Sequence, residues 1–406
     1  MQGTLQPKLR FPGFIGDWEK KRIGDIATFK GGGTPSTNKQ EFWNGTIPWI
    51  SSSDVLENDI FKINITRYLT EYAVANSATK IIPKGSLLVV SRVGVGKFVI
   101  TNVDICTSQD FTNLILDNKI VSNYYLGYFL YKNRDILYSI SQGTSIKGFT
   151  GADLKVIGIK LPSLFEQQKI ADYLSSIDQK INLLEEKKIE LSRYKKAMMQ
   201  KLFSQQIRFK DENGNDFSDW EEKRLGEVSY KPKYGLNSSA KSYDGVNGYL
   251  RITDIDELSN RFIKKGITSP DKFSDEFLLK MGDLLFTRTG ASTGKTYLYS
   301  ESDGKLFFAG FLIKFHIKKG FDSRFIFYQT KSDNYKKWIR IMSMRSGQPG
   351  VNSEEYSNFK FFTPCFDEQQ KIGDFLSAID ESIDKVNEQI METQAFKKAM
   401  LQQMFV

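Results

Sequence analysis

The chain has one histidine, His316, and two cysteines, Cys106 and Cys365, among 406 residues. Zinc sites need His and Cys ligands at short spacings, and a Cys-His dyad needs both partners close together, so neither chemistry is expected. Two cysteines this far apart give no disulfide framework and fit a reducing, cytoplasmic setting. Met1 to Arg10 carry no apolar core of leader length, and the most apolar run, Ile81 to Ile100, is broken by Pro83, Lys84, Arg92, Lys97 and several glycines. No membrane contact is expected. Catalytic motifs are missing too. There is no Asn-Pro-Pro-Tyr or Asp-Pro-Pro-Tyr segment to clamp an adenine, no glycine-rich S-adenosylmethionine loop, and no Asp followed by a spaced Glu-x-Lys at an equivalent place in both halves. The expectation is a non-enzymatic chain that holds no metal and no cofactor of its own.

What is present is positive charge, aromatic residues and a repeat. Lys and Arg number 57 against 48 Asp and Glu, a net charge of +9, which favours a polyanionic partner, nucleic acid first. Aromatics at 13% exclude a disordered basic tail. Asp17 to Ile26 (DWEKKRIGDI) returns as Asp219 to Val228 (DWEEKRLGEV), and Glu166 to Asp178 (EQQKIADYLSSID) returns as Glu368 to Asp380 (EQQKIGDFLSAID), both with an offset of 202. The chain is therefore two tandem copies of one plan. The middles share only echoes, such as Ser53-Asp54-Val55 with Thr253-Asp254-Ile255, and Ser91-Arg92 with Thr287-Arg288.

The middles carry short β-branched and aromatic runs (Leu87 to Val90, Lys97 to Ile100, Leu284 to Thr287, Phe311 to Ile317) and helical stretches at Tyr124 to Tyr138 and Ser323 to Met342. After each middle the apolar residues repeat every seven. Ile170, Ile177, Leu184, Leu191, Met198 and Leu174, Ile181, Lys188, Lys195, Leu202 form one seam; Ile372, Ile379, Val386, Thr393, Met400 and Leu376, Ile383, Ile390, Lys397, Met404 form the other. Ser163 with Glu166 predicts a capping box at the first start. The seam lysines Lys188, Lys195 and Lys397 suggest a loosened segment or a docking face. The fold class is α+β: two similar mixed α/β domains, 1–160 and 208–362, joined by two long helices, 161–207 and 363–406, forming an antiparallel coiled coil in a pseudo-twofold tandem repeat.

These residues resemble the specificity subunits of type I restriction-modification enzymes. The points of resemblance are Lys30-Gly31-Gly32-Gly33-Thr34-Pro35, Ile47-Pro48-Trp49-Ile50-Ser51-Ser52-Ser53-Asp54, and the doubled Pro-x-x-x-Glu-Gln-Gln-Lys-Ile starts at Pro162 and Pro364. The second copy departs from the first, with Lys231-Pro232-Lys233-Tyr234-Gly235 in place of the glycine run. The resemblance implies two target-recognition domains, each reading half of a split sequence in double-stranded DNA, with helices that set the gap. It implies two adenine methyltransferase subunits as partners, which carry S-adenosylmethionine, and restriction/translocase subunits, which carry ATP and Mg. Two other readings stay open, a coiled-coil scaffold that binds only protein and the recognition part of a fused restriction-methylation enzyme.

Base edges are read by Arg, Lys, Asn, Gln, Ser and Thr, and phosphates are held by Lys, Arg and backbone amides. The candidate DNA-binding residues sit on polar, glycine-containing loops. In the first copy they are Lys30, Thr34, Ser51, Ser53, Ser91, Arg92, Lys97, Gln142, Thr144 and Lys147; in the second, Arg251, Thr253, Thr287, Arg288, Thr289, Thr293, Lys295, Arg345, Ser346 and Gln348. Gly290 to Thr296 (GASTGKT) is one residue short of a phosphate-binding P-loop, so a hairpin turn is expected there instead. Asp54 and Asp254 are expected to cap turns rather than to hold a metal.

Overall fold

A computed structural model describes residues 6–141, 148–344 and 349–406. The chain divides into two compact units, Met1–Leu184 with Gln389–Val406, and Glu185–Glu388. Each unit therefore holds one mixed α/β head and part of both long helices.

In the first unit the buried run Leu87–Val90 is a central strand of a four-stranded antiparallel sheet, ordered Ala27–Gly31, Phe111–Leu116, Leu87–Val90, Phe98–Ile100. Such a run has both faces covered, which is why it shows no polar alternation. A smaller sheet sets Ile47–Ile50 between Arg67–Leu69, antiparallel, and Cys106–Thr107, parallel. The second unit repeats the plan with Lys233–Tyr234, Leu312–His316, Asp283–Thr287 and Thr296–Leu298 in one sheet, and a parallel pair Gly248–Leu250 with Leu306–Phe308. The two predicted helical stretches are each broken in two. Asn123–Lys132 is followed by Arg134–Ser139, and Ser323–Gln329 by Asp333–Ser343. At the second break the Ser332 hydroxyl accepts the Tyr335 amide and starts a new helix, a cap that stabilises by about 1 kcal/mol.

The repeated motifs are structural. Trp18 and Trp220 are buried in the cores of their own units. Glu166 is buried and takes two bonds from the Arg10 guanidinium at 2.8 and 2.9 Å, while Glu368 takes the same from Arg208 at 3.2 and 2.7 Å. Gln167 accepts the Ser122 amide and donates to the carbonyls of Ile120 and Pro162; Gln369 accepts the Asp322 amide and donates to Pro364. The Glu-Gln pair thus fastens each long helix to the head that precedes it. The predicted capping box is only half formed. Ser163 does cap the Glu166 amide at 3.3 Å, but the Glu166 carboxylate serves Arg10.

The long helices are Leu164–Phe203 and Phe366–Met404, and no helix among the described residues is long and apolar enough to cross a membrane. Their seam residues enter the cores, Ile170, Leu174, Ile177 and Ile181 with Leu401 and Met404 in the first unit, Met199 and Leu202 with Ile372, Leu376 and Ile379 in the second. In the second unit Lys188 reaches Asn387 at 2.7 Å and Lys195 reaches Asp380 at 2.6 Å. Seven residues forward on one helix match seven back on the other, so the pairing is antiparallel. The seam lysines are neither a loosened segment nor a free docking face, because each is engaged across the pair. Lys397 meets Asp178 at 2.5 Å, and that carboxylate also accepts the Tyr128 hydroxyl at 2.7 Å. Lys195, Asp380 and Tyr328 repeat the arrangement, with Tyr328 to Asp380 at 2.7 Å. Burial, followed by the neighbouring aspartate, pushes both phenols far above their ordinary values, so they remain donors.

Candidate nucleic-acid interface

In the first head, Ile47–Ile50 leads into a single turn, Ser52–Asp54. Asp54 caps that turn by accepting the Ser51 amide at 2.7 Å, the role expected of it. The same carboxylate holds Arg67, whose guanidinium also donates to the Ser51 hydroxyl at 2.8 Å and lies over the Trp49 ring at 4.5 Å. Ser51 and Ser53 share a bond at 2.8 Å. The Trp49 indole donates to the Gly33 carbonyl, and the Gly33 amide donates to Thr107, which lays the glycine run against the small sheet. A side chain at Gly33 would come within 2.6 Å of the Ala78 backbone, so glycine is required there. Thr34 bonds to Gln109.

The other first-head candidates have different surroundings. Lys30 is exposed, on the strand paired with Phe111–Leu116. Ser91 is buried and bonded to the Asp110 carbonyl. Arg92 is exposed and Lys97 half-buried at the ends of a tight turn in which Val93, Gly94 and Gly96 all have positive φ. Gln142, Thr144 and Lys147 lie outside the described residues, as do Arg345, Ser346 and Gln348 of the second copy.

In the second head a cleft of about 870 Å³ gathers Arg251, Thr253, Arg288 and Thr289, together with Asn237, Ser238 and Ser292. Asp254 caps its turn through the Arg251 amide at 2.9 Å and grips the guanidinium of the same residue at two points, Nε to Oδ2 and Nη2 to Oδ1, each 2.8 Å. This hydrogen bonding raises the Arg251 guanidinium above its ordinary value. Arg288 lies 5.1 Å from the Tyr234 ring centre and 5.7 Å from that of Phe311, and its Nε has no hydrogen-bond partner among the described residues. Burial opposes ionisation of Tyr234, yet the Ser353 amide and the Arg288 charge bring its phenol below the ordinary value.

Not every second-head candidate faces the cleft. Thr287 is fully buried, its hydroxyl bonded to the Ser292 carbonyl. Thr293 bonds to the Gly290 and Pro349 carbonyls. Lys295 folds back onto Glu257 at 2.6 Å and the Ile255 carbonyl at 2.9 Å. Gly290 to Thr296 is the turn joining Asp283–Thr287 to Thr296–Leu298, as expected from a motif too short to wrap a phosphate.

The structure also sets Arg67 and Gln109 beside candidates of the first head, and Asn237 and Ser238 beside those of the second, none of them selected from the sequence. Arg67 lies on a strand outside any glycine loop, so the criterion of polar, glycine-containing loops passes over it. The echo of Asp54 in Asp254 was the available signal, since a repeated, fixed carboxylate invites a basic partner. Among the described residues no three His, Cys, Asp or Glu side chains gather as metal ligands.

The arrangement offers directional donors on fixed loops. Compared with known proteins, residues 15–193 and 217–393 each match the model of the type I restriction modification DNA specificity domain. The type I restriction enzyme MjaIX specificity subunit of Methanocaldococcus jannaschii is 32% identical over 65% of this chain and 62% of its own length. The match thus spans less than two thirds of that relative. The MjaVIII specificity subunit of the same organism is 26% identical over 95% of this chain and 91% of its own length. In fold, the chain is similar to the crystal structure of a type I restriction-modification S subunit from M. genitalium, with a TM-score of 0.65, 18% identity and 99% of both chains covered.

Proposed function

We infer that this chain, which belongs to the type I restriction modification DNA specificity family, is the non-catalytic DNA-recognition subunit of a type I restriction-modification complex. Each head reads one part of a bipartite duplex target, and the paired helices fix the unread gap between the parts. Two adenine methyltransferase subunits dock on the chain and supply S-adenosylmethionine; restriction/translocase subunits, with ATP and Mg, add cleavage. The work is done in the cytoplasm, where the DNA is.

One observation carries this reading. The same turn, closed by Asp54 in one head and Asp254 in the other, holds an arginine drawn from a different place in each, Arg67 and Arg251. A common frame with dissimilar donors is what two half-sites of different sequence require, because base contacts are local and the frame is not. A protein-only scaffold has no need of two unlike polar surfaces on one frame.

The test is a mapping of methylated adenines in cells that express the complex, with residues 208–362 either native or exchanged for those of a relative. The expected result is a bipartite target in which one half changes and the other does not. Both halves changing, or no methylation dependent on the chain, overturns the reading. The purified chain alone is expected to transfer no methyl group and to cut no DNA.

A further inference from the structure

We propose that Arg251 reads a guanine in the half-site of the second head. The inference rests on the DNA-recognition reading above and adds the identity of one base.

A guanidinium has five N–H donors. Asp254 occupies the Nε hydrogen and one Nη2 hydrogen of Arg251, both at 2.8 Å. That leaves the end of the group, one Nη1 and one Nη2 hydrogen side by side, as an intact fork. The Arg251 side chain is 35% exposed and lines the cleft with Thr253, Thr289 and Arg288. Two parallel donors match the O6 and N7 acceptors of guanine in the major groove. Adenine places an amino group where the second acceptor would be, cytosine offers an amino donor and no acceptor, and thymine offers one acceptor only.

Charge decides between a base and a phosphate as the partner. Arg251 with Asp254 is a closed ion pair, so it adds almost no net positive charge, and a phosphate approaching it meets the carboxylate as well. Direction survives where attraction does not. Arg288, held between two rings and without a carboxylate on it in the described contacts, keeps its full charge and suits the backbone better. In the first head Arg67 meets both Ser51 and Asp54 through Nη2 alone, not through the side-on Nε and Nη2 pair that leaves the outer fork of Arg251 intact. The inference is therefore confined to the second head.

The experiment selects duplexes from a randomised pool with the assembled complex, using the native chain, Arg251→Lys and Arg251→Gln, each checked for native unfolding behaviour. The native complex returns a bipartite motif. Both variants should lose the preference for guanine at one position of one half, by roughly 5- to 150-fold, with the rest of the motif intact. The salt dependence of binding should keep its slope. A native motif that persists unchanged in both variants overturns the inference, as does a uniform loss of affinity with the slope lowered by about one, which marks a phosphate contact. Absence of any motif from the native complex overturns the recognition reading itself, so the two failures are distinct.

Discussion

Replacing Lys397 by Met tests whether the seam lysines hold the helix pair together. Lys397 and Asp178 keep only 11% and 17% of their side-chain surface exposed, and the Lys397 ammonium also lies over the Tyr131 ring at 4.7 Å. Removing one partner of a fully buried pair costs about 3–5 kcal/mol, and an exposed pair is worth about 0–1. This pair lies near the buried limit, but Asp178 retains the Tyr128 hydroxyl, which relieves part of the loss. The expected cost is about 2–3 kcal/mol. For a unit of about 200 residues that lowers the midpoint by roughly 4–12 °C. Calorimetry on the full chain reads it, with Lys195→Met as the companion in the second unit. The double variant Lys397→Met, Asp178→Asn removes the orphaned charge and keeps an acceptor for Tyr128. It should recover to within about 1 kcal/mol of native, since a neutral replacement of a buried pair is tolerated. A single variant melting within about 1 °C of native, or a double variant no better than the single, refutes the reasoning.

Arg10→Met leaves the buried Glu166 carboxylate without its guanidinium and should cost about 3–5 kcal/mol in a urea titration, as Arg208→Met should through Glu368. Gly33→Ala forces a methyl group onto the Ala78 and Thr79 backbone and should destabilise by about 1–3 kcal/mol, whereas Gly31→Ala, with open space around it, should not. Equal effects from the two alanines would count against the packing argument. Burial, aided by Lys195, lowers the Lys331 ammonium to about 7 from 10.5. Between those values the unfolded chain binds more protons than the folded one, so this group makes the second unit more stable as pH rises from about 7 toward 10. Lys331→Met should flatten that rise in unfolding midpoints measured across the window.

Much of the fold is legible in the chain itself. The strand at Leu87 to Val90 is found at those residues, and Lys97 to Ile100, Leu284 to Thr287 and Phe311 to Ile317 each differ from theirs by a residue or two at the ends. Such runs are bounded by local turn residues, so their limits are written nearby. The broken helices are less legible, because Asn133, which turns its amide back to the Phe129 carbonyl, and Ser332, which caps the Tyr335 amide, are polar residues that a continuous helix also carries. Of the candidates taken from polar loops, Arg251, Thr253, Arg288 and Thr289 line one cleft, whereas Ser91, Thr287 and Lys295 are turned inward. Composition marks a polar loop without saying which of its side chains holds the loop and which faces out.

The sequence by itself determined the doubling and the seven-residue seams, because both are matters of residue type and spacing along one chain. Only the tertiary structure decided what the charges are for. Glu166 could have closed its own cap but holds Arg10, 156 residues away, and Lys397 stands in an apolar seam because Asp178, 219 residues away, lies opposite. A charge in a seam or at a helix start has no fixed meaning until its partner is known. That partner is chosen by the approach of distant segments, which no local pattern records.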